Sequence, residues 1–200
     1  MKQLNTFLKD YNVSRETLDK LDHYRALLLK WQKAINLVAP NTLKEAEIRH
    51  FLDSAQLLPF FPEEDSFVSV DMGSGGGFPA LVLAILRPNG VFHVVESDQR
   101  KCIFMETVSR ETSTNLVVHK KRIEQTDIEN VDFVTARALA SLDSLFEYAY
   151  SFNPKTLIFL KGEMYQQEID DALEKWSFEY ELTPSISLKT AKIIKVTNLI

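Results

Sequence analysis

The run Phe67-Val-Ser-Val-Asp-Met-Gly-Ser-Gly-Gly-Gly-Phe-Pro-Ala80 dictates a strand, a tight turn and a helix start in immediate succession. Apolar residues of strand type lead to an acid at Asp71. Gly73, Gly75 and Gly77 follow at alternate positions, and an apolar stretch of helical length extends from Phe78 to Leu86. Glycine lacks a Cβ, so the chain can turn sharply there or let a ligand approach its backbone. The unpaired amides of a helix start also attract oxygen acceptors. The run therefore predicts a ligand-binding turn, with a purely structural glycine turn as the alternative.

From residue 66 onward strands and helices alternate. Strands are expected at 67–71, 91–96, 116–119, 131–135 and 156–160. Helices are expected at 78–86, 99–112, 142–151 and 164–173, with a helical turn near 123–126. The apolar core Leu157-Ile-Phe-Leu160 suits an interior parallel strand covered on both faces. Two closing strands near 176–183 and 191–198 read as a hairpin. The expected class is α/β, a Rossmann-like, mostly parallel seven-stranded sheet with a C-terminal antiparallel hairpin. Ahead of it, Leu4, Phe7, Leu8 and Tyr11 mark one short amphipathic helix. Ser14 can cap a second, whose apolar stripe, including Trp31, runs to Ile35, and Thr42 with Glu45 matches a capping box opening a third through Leu58. Residues 1–62 are thus expected to form a helical extension packed on a main domain of residues 63–200.

The glycine spacing narrows the ligand. A dinucleotide fingerprint would need a glycine where Phe78 stands, and no Lys-Ser or Lys-Thr follows to make a phosphate-binding Walker loop. The pattern acid-x-Gly-x-Gly-x-Gly instead resembles the first motif of S-adenosylmethionine-dependent methyltransferases. Glu96, at the end of the second strand, is the type of group that accepts hydrogen bonds from both ribose hydroxyls. Asp71 is expected to anchor the turn or meet the cofactor's amino group. Ile123 and Glu124 offer an apolar contact and an acceptor suited to adenine. Arg137, just beyond the fourth strand, can position a phosphate or a guanine edge through its fixed donors. Lys120, Lys121 and Arg122 are candidate RNA phosphate contacts, Arg49 and His50 candidate lining residues, and Lys161 a further substrate contact.

The net charge of -5 argues against a protein that coats nucleic acid nonspecifically, without excluding a local basic site. Cys102 stands alone, so no internal disulfide can form, and its helical position suggests packing. No apolar run has transmembrane length, and the amphipathic, acidic start of the chain does not read as a secretory signal. A cytoplasmic monomer that contacts no membrane and holds no metal is expected.

Together, Arg49-His-x-x-Asp-Ser54, Asp71-x-Gly-Ser-Gly-Gly-Gly-Phe-Pro79, Glu96-Ser97, Arg122-Ile-Glu124, Ala136-Arg-Ala138 and Leu160-Lys-Gly162 resemble the ribosomal RNA small-subunit methyltransferase G family, also called glucose-inhibited division protein B. The resemblance spans nearly the whole chain. It implies methyl transfer from S-adenosylmethionine to N7 of one guanine in a 16S ribosomal RNA loop near the decoding region, with 16S RNA or the small subunit as partner. It also implies cofactor contacts at Gly73, Phe78, Ile123, Glu124 and Arg137. Gly76 stands where the family commonly has proline and Ala80 where it commonly has glycine, which suggests a looser turn. Other readings are a methyltransferase acting on a protein or small molecule, and a noncatalytic ribosome-assembly protein.

Overall fold

The computed structural model describes all residues from Met1 to Ile200. Seven strands form one sheet: β1 (Phe67–Met72), β2 (Gly90–Val95), β3 (Leu116–His119), β4 (Phe133–Arg137), β5 (Thr156–Lys161), β6 (Glu179–Pro184) and β7 (Lys192–Thr197). Their spatial order is β3-β2-β1-β4-β5-β7-β6. The pairs β1/β2, β2/β3, β1/β4 and β4/β5 are parallel, while β7 runs antiparallel to both β5 and β6. The chain moves outward from β1 to β3 and then returns to β1's other side with β4. That reversal opens a crevice at the carboxyl ends of β1 and β4, the usual ligand position in such sheets.

Helices cover both faces. On one side lie α1 (Lys2–Leu8), α2 (Arg15–Trp31), α3 (Asp53–Ala55), α4 (Ala80–Leu86) and α5 (Gln99–Thr112), and on the other α6 (Leu142–Tyr150) and α7 (Tyr165–Leu173). One apolar cluster joins Leu4, Leu21, Tyr24, Phe51 and Leu58 of the N-terminal segment to Phe78, Leu81 and Phe104. A second joins Val70, Val134 and Phe159 of the sheet to Leu145, Phe146 and Ile169 of α6 and α7. Ser14 caps α2, Asp98 caps α5 and Ser141 caps α6, each through a side-chain oxygen accepting a backbone N–H.

Four expectations need correction. No regular α-helix spans 42–58, although helical turns of mixed type run unbroken from Pro40 to Ala55. Pro40–Glu45 is a tight 3-10 segment, Glu47–Leu52 a wide π-type segment, and only Asp53–Ala55 is α-helical. Thr42 does not close a capping box, because its hydroxyl donates to Ala39 O at 2.7 Å and meets His50 Nε2 at 2.8 Å. The second helix stops at Trp31, where the Gln32 amide folds back onto the Leu37 and Val38 backbone and leaves Ile35 in a turn. Finally, the fourth strand starts at Phe133, since Asn130 is left-handed and the Asp132 carboxylate accepts the Val68 N–H. Arg137 therefore ends that strand, and Lys161 likewise ends β5.

Candidate functional site

The glycine turn leaves β1 at the crevice. Gly73 donates its N–H to Val95 O at 2.9 Å, tying the turn to the end of β2. Its φ of +66° lies in the left-handed region that strains residues with a Cβ, and a Cβ there would stand 2.6 Å from Leu139 Cδ1, so the Leu139 side chain would have to move. Glu96 Oε2 accepts the Gly75 N–H at 3.1 Å, and Tyr24 of α2 donates to Gly76 O at 2.5 Å. A Cβ on Gly76 would stand 3.1 Å from Leu37 O. The turn is thus braced from both sides, contrary to the looseness expected from Gly76.

Two cavities meet at this turn and share Gly73, Gly75 and Ala138. The first, of about 350 Å³, is lined by Glu96, Ile123 and Glu124, with Lys121 and Arg122 on its rim. The second, of about 410 Å³, is lined by Arg49, His50, Asp53, Phe78, Arg137 and Lys161. Leu139 lines the first cavity and lies against Gly73, at the wall between the two. Ala138 just before it has a φ of +51°, an unfavourable conformation for a residue with a Cβ. A larger recess of about 850 Å³ lies at the opposite, amino ends of the strands and contains none of the predicted residues.

Arg137 is the most connected side chain of the second cavity. Its Nη1 donates to Arg49 O at 2.9 Å, to His50 Nδ1 at 3.0 Å and to Asp53 Oδ2 at 3.3 Å, while the guanidinium lies 5.2 Å from the centre of the Phe78 ring. Asp53 Oδ1 accepts from Gln56 Nε2 at 2.9 Å and from the Ser187 hydroxyl. Burial pushes the His50 pKa down to about 3, with the Arg137 and Arg49 charges adding to the effect, so the ring is neutral. Lys161 is buried, donates to Ala140 O at 2.7 Å and pairs with Glu168 at 2.5 Å, an arrangement that anchors the segment after β4.

The remaining predicted residues lie elsewhere. Asp71 is sealed beneath the turn and lines neither cavity. Its Oδ1 accepts from the Thr135 hydroxyl at 2.7 Å, Oδ2 has no partner, and burial pushes its pKa up to about 6. Gly77 backs onto Leu81 and Tyr24. Lys120 lines neither cavity and pairs with Glu106 at 2.9 Å. Cys102 is buried, its thiol pushed up to about 11 chiefly by desolvation. Sequence reasoning missed Ser187 and Lys192 in the second cavity, because only the placement of β7 beside β5 brings them there. No group of three or more His, Cys, Asp or Glu side chains is arranged to hold a metal ion, and no helix is long and apolar enough to cross a membrane.

A family model described as rRNA small subunit methyltransferase G matches residues 17–196. A ribosomal RNA small subunit methyltransferase G of Parvibaculum lavamentivorans is 51% identical over 195 residues, covering 94% of this chain and 86% of that protein. A Rhodospirillum rubrum protein of the same name is 44% identical over 192 residues, covering 95% and 94%. Among solved structures, an S-adenosylmethionine-dependent methyltransferase from Aquifex aeolicus superposes with a TM-score of 0.58 at 13% identity, covering 82% of this chain and 99% of that one, a likeness of fold.

Proposed function

Because the chain belongs to the rRNA small subunit methyltransferase G family, we propose that its two-cavity crevice transfers a methyl group from S-adenosylmethionine to N7 of a guanine in 16S ribosomal RNA near the decoding region. The observation that carries this reading is the meeting of the two cavities at one glycine turn. A donor and an acceptor bound in adjoining cavities have their reacting atoms brought together at the shared wall, and proximity is the main catalytic effect such a site can supply.

The residues of the first cavity suit the nucleoside end of the cofactor. Glu96 presents a carboxylate, Ile123 an apolar face and Glu124 an acceptor, all on one side of the glycines. Gly73 and Gly75, without side chains, leave backbone exposed where the amino-acid end would lie, with Phe78 and Arg137 across the second cavity. When bound, S-adenosylmethionine supplies an electrophilic methyl group on a positively charged sulfur.

Guanine N7 carries its own lone pair, so no residue has to remove a proton before attack. The site accords with that requirement. His50 has both ring nitrogens engaged, and Asp71 is closed off under the turn. What the chain supplies is orientation and exclusion of water. Arg137 positions the substrate, Arg49 and Lys192 offer charge for RNA phosphates, and Lys121 and Arg122 do so on the rim of the first cavity. Lys161 acts by holding the Ala138–Ala140 segment in place. We propose further that the protein works as a cytoplasmic monomer, since residues of one chain line both cavities.

The test is site-resolved guanine-N7 methylation of small-subunit RNA, offered free and in undermethylated subunits, with and without the protein and cofactor. Modification of one guanine near the decoding region is expected. Absence of N7 methylation in both substrates would sink the proposal.

A further inference from the structure

The two nitrogens of the His50 ring are engaged on opposite sides by partners whose own chemistry leaves only one arrangement. On one side stands Arg137 Nη1, at 3.0 Å from Nδ1. A guanidinium is always protonated and only donates, so Nδ1 must offer its lone pair. With the ring neutral, the proton then resides on Nε2. Nε2 faces Thr42 Oγ1 at 2.8 Å, and the Thr42 hydroxyl proton is committed to Ala39 O at 2.7 Å. Thr42 therefore accepts. The chain of bonds has a single direction, from Nε2–H to Thr42 to Ala39 on one side and from Arg137 into Nδ1 on the other.

This arm decides which part of Arg137 the cavity sees. Its protein acceptors all face Nη1, whose two protons go to Arg49 O at 2.9 Å and His50 Nδ1 at 3.0 Å, with Asp53 Oδ2 sharing one of them at 3.3 Å. Nε and Nη2 have no protein partner, and neither is a sealed, orphaned group. Phe78 supports the guanidinium plane from one face. We propose that Thr42 and His50 are positioning residues for the methyl transfer: by fixing the Nε2–H tautomer, they hold Arg137 by Nη1 and present its Nε–Nη2 edge, a fork of parallel donors, to an oxyanion or carbonyl of the bound substrate. The proposal rests on the reading of the second cavity as the acceptor side. It assigns Thr42, otherwise an unremarkable turn residue, a part in the reaction.

Three variants and one spectroscopic signature test it. His50→Phe keeps a flat ring but removes the acceptor. Thr42→Val keeps the shape but removes the acceptor for Nε2–H. His50→Asn restores an acceptor near the Nδ1 position. His50→Phe and Thr42→Val are expected to lower kcat about tenfold or more, the scale set by one hydrogen bond to a charged group, with cofactor KM unchanged and the fold retained by circular dichroism, although each loses a hydrogen bond and its unfolding midpoint falls. His50→Asn is expected to recover much of the loss, which a role in packing alone would not produce. Nitrogen NMR of the imidazole is expected to report the neutral Nε2–H form in the parent at neutral pH. A parent-like kcat in His50→Phe, or an Nδ1–H or doubly protonated ring by NMR, would overturn the proposal. The NMR result stands apart from the assigned activity: loss of methyl transfer by the parent itself would refute the proposed function while leaving the tautomer still measurable.

Discussion

A carboxylate sealed from water resists ionisation, and Asp71 is in that position directly under the glycine turn. Its folded pKa of about 6 lies above the ordinary value of 3.8 because burial outweighs the Thr135 hydrogen bond. Between those values the folded chain keeps a proton that the unfolded chain has already lost. The contribution of Asp71 to stability therefore falls as pH rises from about 4 to about 6, by about 3 kcal/mol, and is level above that. The stability difference between Asp71→Asn and the parent is expected to shift in favour of the variant across this interval in denaturant titrations. A difference that stays constant would mean that Asp71 ionises normally in the folded protein. At the next strand end, the Glu96 oxygens accept the Gly75 N–H at 3.1 Å and the Asp98 N–H at 2.8 Å while the residue lines the first cavity. Glu96→Ala is expected to weaken cofactor binding by about 1.5 to 3 kcal/mol by calorimetry, and unchanged affinity would remove it from the site.

Among elements, α2 reaches the turn through one hydroxyl. Tyr24 is fully buried, stacks on Phe78 at 5.2 Å and donates to Gly76 O. Tyr24→Phe keeps the ring and leaves a buried carbonyl without its donor, so a loss of about 1 to 3 kcal/mol in stability is expected. A parent-like unfolding midpoint would show that the turn does not depend on α2. The sheet and the glycine turn were legible because their signals are local: alternating apolar runs, and glycines where the backbone takes positive φ. Residues 40–60 were not. Thr42 and Glu45 have the spacing of a capping box, yet Thr42 is engaged by His50, and Glu47 accepts the N–H groups of Gln3 and Leu4 in α1. Long-range partners overrode a short-range pattern. Of the site, Glu96, Glu124 and Arg137 could be read because each closes or follows a strand. Ser187 and Lys192 could not, because nothing near them in the chain marks the crevice.

At the scale of the whole molecule, the chain carries a net charge of -5, so the unpaired basic groups in the second cavity stand out against an acidic background. In the second cavity Arg137 is paired with Asp53 and Lys161 with Glu168, whereas Arg49 and Lys192 form no ion pair. Replacing either with Ala is expected to raise the KM for RNA and reduce the slope of its salt dependence by about one. Lys120→Ala, outside both cavities and paired with Glu106, is expected to change neither; an equal effect from Lys120 would move the RNA to the other face. The sheet order also has a temporal consequence. β6 precedes β7 in the chain, yet β7 is the strand that pairs with β5, so β6 has no edge to join until β7 has been inserted. The loop between them supplies Ser185 and Ser187, and β7 itself Lys192, to the second cavity, whose opposite wall comes from residues 37–53. As the chain is made in order, the glycine turn can assemble early, but the second cavity closes only with the last strand. A chain that ends before β7 would carry the glycine turn but lack one wall of the second cavity.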